Sequence, residues 1–168
     1  MKINIVTFFW SKNLGALIQA FSLKNFIESE FNTEVKFNNY SPNNLIVRER
    51  MSQFNSKSLK IIHQVILKKI KLFNWKKKVL KCESPSQKIE EYNDDLYIYG
   101  SDEIWNYQNP FFGFDPFFFG KNNIKKKISY ATSIGSVNYL KDQKIELIKD
   151  YLKNFENISV RDSVTQSF

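Results

Sequence analysis

Four short apolar runs, each closed by a cluster of small or polar residues, constrain this chain more than any other feature. Residues 2–8 (KINIVTF) carry Ile3, Ile5 and Val6 and lead into Ser11-Lys12-Asn13-Leu14-Gly15. Residues 95–99 (DLYIY) lead into Gly100-Ser101-Asp102-Glu103-Ile104-Trp105-Asn106, and residues 127–132 (KISYAT) into Ser133-Ile134-Gly135-Ser136. Residues 157–160 (NISV) lead into Arg161-Asp162. Runs of this length, rich in β-branched and aromatic side chains, read as buried strands. Helical spacings lie between them. Ala16, Ala20, Leu23 and Ile27 form one stripe over residues 16–29, and Ile145, Ile148, Tyr151, Leu152 and Phe155 form another. Residues 34–40, with Val35 and Phe37 on one face, add a strand. The alternation predicts an α/β architecture with a mostly parallel sheet and flanking helices. In such sheets ligands bind beyond the carboxyl ends of the strands. The four strand ends are therefore where chemistry is expected.

The middle of the chain, residues 41–87, breaks the alternation. Leu59, Ile62, Ile66, Ile70 and Phe73 keep a helical spacing, with Lys60, Lys68 and Lys71 largely off that stripe. The spacing predicts a basic amphipathic helix that continues to Leu80 and is broken by Ser84-Pro85-Ser86. The net charge of +8 originates here: nine lysines and no acidic residue lie between Lys57 and Lys81. Such a stretch fits an anionic partner, whether nucleic acid, acidic glycan or membrane surface; the plainer reading is a solvated helix face. Nucleic acid would require aromatics interleaved with the lysines. Only Phe73 and Trp75 are near, and Phe73 belongs to the apolar stripe, so no nucleic-acid partner is expected. The single Cys82 and single His63 allow no disulfide, metal cluster or catalytic triad, and both read as structural. No signal-peptide layout or membrane-spanning run is legible, which makes the cytoplasm the expected location.

The first strand end has one glycine. It is neither a GxGxxG fingerprint nor a phosphate loop, so neither NAD nor ATP is expected. Gly15 at a helix start can offer its N–H to an anion, or Asn13 can simply cap that helix. Gly100 lets the chain turn tightly and lets a ligand approach the backbone. Asp102 then stands at a rim, as acceptor for sugar hydroxyls, as general base, or as a helix cap. Trp105 lies under a sugar ring or fills the core. Residues 109–120 (NPFFGFDPFFFG) read as a packed loop.

Taken together, these segments resemble the polysaccharide pyruvyl transferase family. The opening strand, the Asn13-Leu14-Gly15-Ala16 turn and the following helix look like that family's start, with Leu14 in place of an aromatic. Gly100-Ser101-Asp102-Glu103-Ile104-Trp105-Asn106 is similar to its GSDQIWN segment, with Glu103 for Gln. Phe114-Asp115-Pro116, Lys127–Gly135 and Ile158–Ser163 resemble its FDP, KISYAASFG and ISVRE-S segments, in the same order. The resemblance implies a Rossmann-like domain over 1–168, with a basic helical insert at about 41–87. It implies the N-terminal half of a glycosyltransferase-B-like two-domain architecture, its second domain absent and the fragment alone inactive. The implied reaction moves a pyruvyl ketal from phosphoenolpyruvate, a donor substrate rather than a cofactor, to a sugar of a bacterial cell-surface polysaccharide or its lipid-linked precursor. A nucleotide-sugar glycosyltransferase and a non-catalytic sugar-binding half are the alternatives. The implied site comprises Asp102 as base and Asn13, Gly15, Ser101, Trp105, Asn106, Ser133 and Gly135 around the acceptor. Arg161 faces the anionic donor, and no metal is expected. Lipid-linked acceptors would bring the lysine-rich segment 57–81 into peripheral contact with the inner membrane face.

Overall fold

The structure, a computed structural model, describes residues 1–42, 59–81, 86, 94–110, 112–122, 124, 126–137 and 143–168. Among the described residues five strands form one sheet: β1 (Lys2–Val6), β2 (Glu34–Phe37), β3 (Leu96–Asp102), β4 (Lys127–Thr132) and β5 (Asn157–Val160). Their order is β2-β1-β3-β4-β5, and every pairing is parallel. The expected α/β sheet is thus present and wholly parallel. Order reverses between β1 and β3, because β1 passes to β2 on one side and the chain then returns to β3 on the other.

Helix α1 (Leu14–Phe31) joins β1 to β2. It starts where the Asn13 side chain accepts the N–H of Gly15 and stops where Asn32 turns left-handed, at φ 45°. Ala16, Leu17, Ala20, Leu23 and Ile27 are buried, the last four in one cluster with Ile3 and Ile5 of β1, Val35 and Phe37 of β2 and Ile98 of β3. The small side chains at 16 and 20 let the helix lie close to the sheet. Leu17 is fully enclosed, which contributes about 2 kcal/mol. Helix α1 begins two residues before the predicted start. The prediction followed the apolar stripe, and the Asn13 cap fixes the true boundary.

The opposite face of the sheet is aromatic. Tyr97 and Tyr99 pack with Trp105, the Phe117–Phe119 run and Phe155, and helix α3 (Ile145–Leu152) adds Ile148. The phenylalanine loop is packed, as expected, and its centre is a 3-10 turn, Pro116–Phe119. Asp115 opens that turn by accepting the Phe117 N–H at 3.0 Å, and it also accepts the Tyr40 hydroxyl at 2.8 Å. Lys127, buried at the start of β4, donates to the Gly120 carbonyl at 2.7 Å and to Asn122 Oδ1 at 3.0 Å. Burial pulls its ammonium below the usual lysine range.

Helix α2 (Leu59–Trp75) and a π-helical turn (Lys76–Leu80) confirm the basic helix. Its orientation differs from the simplest reading of the pattern. Ile66, Ile70 and Phe73 face solvent, at 43%, 52% and 59% exposure. Val65, Lys69, Leu72 and Lys76 lie closer to the fold, and Leu80 is the residue that enters the core. The rest of the predicted 41–87 insert, with Ser84, Pro85 and Cys82, lies outside the described residues apart from Ser41, Pro42, Lys81 and Ser86. His63 is exposed on α2.

Strand β3 runs two residues beyond Gly100, where the sequence suggested it would end. Gly100 sits inside the sheet at φ 118°, and a Cβ there would lie 2.2 Å from the Tyr130 carbonyl oxygen. The missing side chain therefore admits the neighbouring strand, not a ligand. Gly100→Ala should cost roughly 3 kcal/mol, because β4 backbone has nowhere to retreat and the φ is unfavourable for alanine. A chemical-denaturation midpoint measures it; a midpoint equal to wild type would refute the close-approach account.

Candidate functional site at the carboxyl ends of β3, β4 and β5

A parallel sheet with a reversal of strand order offers a crevice at the reversal, outside the carboxyl ends of β1 and β3. Here that place is filled. The buried Thr7 hydroxyl donates to the Ser101 carbonyl at 3.1 Å and ties the two strands together. Just beyond, the Phe8 ring meets Phe112 at 4.6 Å and Phe118 at 5.2 Å between centroids. The polar groups collect on the far side instead, at the ends of β3, β4 and β5.

Asp102 closes β3, half-buried, with one carboxylate oxygen accepting the Glu103 N–H at 2.8 Å. Its backbone carbonyl accepts the Ser133 N–H at 3.1 Å, so the end of β4 is fixed against it. Burial pushes the Asp102 carboxyl above the ordinary range; the Glu103 N–H and the nearby Arg161 charge oppose that rise, and the Glu103 charge adds to it. Glu103 Oε2 accepts the Asn106 side-chain amide at 3.1 Å, while Oε1 lies 3.5 Å from Arg161 Nη2. The pair is partly exposed, so its value is positional more than energetic. Arg161 is held by its own N–H, which donates to the Thr132 carbonyl at 3.0 Å.

Ser133 is buried beneath this row, and its hydroxyl accepts the Gly135 N–H at 2.8 Å. Asp162, partnered by the Ser133 hydroxyl and by Thr165, is held below the usual carboxylate range. It caps the short helix α4 (Ser163–Gln166) by accepting the Thr165 N–H at 2.8 Å. Gly135 has φ 64°, and a Cβ on it would come within 2.6 Å of Glu103 Oε2 and 2.7 Å of Asn106 Nδ2. The absent side chain is what lets those two side chains lie across the β4 turn.

The sequence-selected residues thus divide. Asp102, Asn106, Ser133, Gly135 and Arg161 converge. Asn13 and Gly15 are joined to each other, through the helix cap, so the capping account of Asn13 describes what is seen. Ser101 is buried, its carbonyl committed to Thr7. Trp105 corrects the sugar-stacking expectation. It is 1% exposed, its Nε1 donates to the Phe118 carbonyl at 2.9 Å, and it stacks with Phe119. No face of that ring is open to a sugar. Two members of the cluster escaped selection, Glu103 and Asp162. Glu103 carried a signal, as a charged residue immediately after a strand end and two positions before a core tryptophan. Asp162 carried another, as a capping residue three positions before Thr165.

The chain matches the polysaccharide pyruvyl transferase family over residues 13–168. It belongs to that family. Family membership implies transferase activity. No match was found among curated proteins, and none among solved structures. For this pyruvyl transferase family member, the segments that carry the resemblance occupy the ends of β1, β3, β4 and β5 and the 3-10 turn.

The Asp102 environment yields a signed prediction. Its folded pKa is raised, so the fold disfavours the charged form, and the penalty is present above the folded pKa and absent below the unfolded one. Asp102→Asn should therefore raise the denaturation midpoint at about pH 7 and leave it unchanged at about pH 3, where the aspartate is already neutral. Destabilisation at neutral pH would show that the carboxylate is instead favoured by its surroundings.

Proposed function

We propose that this chain supplies the acceptor side of a ketal pyruvyltransferase. The donor is phosphoenolpyruvate, and the acceptor is a sugar of a bacterial cell-surface polysaccharide or of its lipid-linked precursor. The observation that supports the reading is the row Asp102, Glu103, Asn106 and Arg161, which the ends of three neighbouring strands bring together on one edge.

The chemistry sets the requirements. Two sugar hydroxyl oxygens form bonds to C2 of phosphoenolpyruvate, the C2–O bond to phosphate breaks, and the methylene carbon becomes a methyl group. The two hydroxyl protons are balanced by one delivered to that carbon and one leaving with phosphate. Asp102 is proposed as the base that takes a hydroxyl proton: it stands at the rim of the strand ends, and burial raises its carboxyl above the ordinary range, which makes it a stronger base. Glu103 and Asn106 offer acceptor and donor groups to neighbouring hydroxyls. Arg161 is the cation placed for the donor's carboxylate or phosphate, and its link to Glu103 keeps it at the rim. On this reading the rest of the donor site comes from a second domain of the kind the resemblance implies.

The test is acceptor-dependent phosphate release from phosphoenolpyruvate by the full-length gene product. Asp102→Asn should lower kcat by about 10²–10⁴-fold while raising, not lowering, the stability at neutral pH. The acid limb of the pH–rate profile should fall above the ordinary aspartate value. Glu103→Gln removes a charge that raises the Asp102 pKa, so it should move that limb to lower pH. Phosphate release that ignores the acceptor, or an Asp102→Asn enzyme with full kcat, would remove the proposal.

A further inference from the structure

Helices α1 and α2 leave a groove of about 760 Å³ between them, away from the β3–β5 cluster. Its walls are apolar. Leu14, Leu17 and Ile18 come from α1, Val65, Leu72 and Phe73 from α2, and the Trp10 and Trp75 rings also line it. Five lysines stand around it, Lys12, Lys68, Lys69, Lys71 and Lys76, and no acidic residue is among the described residues that line it. Lys76 Nζ donates to the carbonyls of Trp10 and Ser11, at 2.5 and 2.6 Å, which fastens the end of α2 to the β1–α1 connection. The groove therefore starts at the carboxyl edge of the sheet, the edge that also carries Asp102. Its volume is in the range of sites that enclose a small apolar ligand.

The surroundings are equally unusual for a solvated helix. Leu14 and Ile18 on α1 are 57% and 59% exposed, and on α2 Ile66, Leu67, Ile70 and Phe73 are open to solvent. Exposed apolar side chains on both sides of a groove, with lysines among them, match an element that lies in the interface of a bilayer, its apolar face in the acyl boundary and its ammonium groups at the phosphates. Nucleic acid fits less well, because the exposed ring of Phe73 lines the groove and no second exposed aromatic alternates with the lysines of α2 among the described residues. No helix of the described residues is long and apolar enough to cross a membrane, so the contact would be peripheral.

We propose that the α1–α2 groove is a docking site for an anionic phospholipid surface, one acyl chain entering between Ile18 and Phe73 while Lys68 and Lys71 meet the phosphates. This goes beyond the transfer reaction and does not depend on it. The test uses the full chain and sedimentation with phosphatidylcholine vesicles, alone or with about 30% phosphatidylglycerol, at low and high salt. Binding should require the anionic lipid and weaken with salt. Lys68→Gln with Lys71→Gln should weaken it about 25-fold, about fivefold for each lysine. Ile18→Ser with Phe73→Ser should weaken it at least about tenfold, with unchanged circular dichroism, since both side chains already face solvent. Trp10 and Trp75 give a readout without mutation: anionic vesicles should protect their fluorescence from acrylamide, against a constant background from buried Trp105. Equal binding to neutral and anionic vesicles would overturn the proposal, as would no change in tryptophan quenching. An apolar double variant that binds as wild type would reduce the groove to a basic patch. Self-association abolished by that variant, without vesicle binding, would assign the groove to a second copy of the chain and equally overturn it.

Discussion

The pairing of β3 with β4 at Gly100 is the constraint on which the rest of this molecule depends. Strand β3 sits at the centre of a parallel sheet, covered by apolar side chains on both faces, and its neighbour comes so near that no Cβ fits between them. That approach sets how the two strands end. The Ser133 N–H reaches the Asp102 carbonyl, the Trp105 N–H reaches the Ser133 carbonyl, and Arg161 follows by bonding Thr132. Three strand ends are locked together by backbone hydrogen bonds, and only then do Asp102, Glu103, Asn106 and Arg161 share one edge. A site built on such a lattice holds its groups in place before any ligand arrives.

The same lattice explains why a single segment contains both framework residues and polar rim residues. In Gly100-Ser101-Asp102-Glu103-Ile104-Trp105-Asn106, Gly100 serves strand packing, Ser101 fixes Thr7, and Ile104 and Trp105 are enclosed in the aromatic core. Asp102, Glu103 and Asn106 face the rim. Trp105 anchors the segment through its ring and its indole N–H, so it positions Asn106 by packing and not by touching a ligand. Asp115 is a comparable case. It stands in the FDP motif, yet its oxygens cap the 3-10 turn and accept the Tyr40 hydroxyl.

The molecule separates its polar and apolar surface features. The carboxyl edge of β3–β5 carries carboxylates and one guanidinium. On the other side of β1, the α1–α2 groove carries lysines over an apolar floor. The crevice at the reversal of strand order, a common ligand position in sheets of this type, is closed by Thr7 and a cluster of phenylalanine rings. The two remaining surfaces are separate in chemistry but open toward one edge of the sheet.

The sequence by itself determined the architecture. Strand length, β-branched content and the helical stripes are local properties, and local periodicity is enough to specify buried strands alternating with amphipathic helices. It also placed the four strand ends, because small and polar residues interrupt each apolar run, and it held the family motifs in order. Tertiary structure alone decided what those ends do. The reason for Gly100 is the carbonyl of Tyr130, thirty positions along the chain; the contact of Glu103 is Arg161; the reason Trp105 is enclosed is the Phe117–Phe119 turn. Helix α2 makes the same point in reverse: its periodicity gave a helix and an apolar stripe, but the direction of the stripe depends on how Lys76 and Leu80 dock, and they leave Ile66, Ile70 and Phe73 facing outward. Periodicity reports that a face is apolar; only the packing of distant segments determines what that face meets.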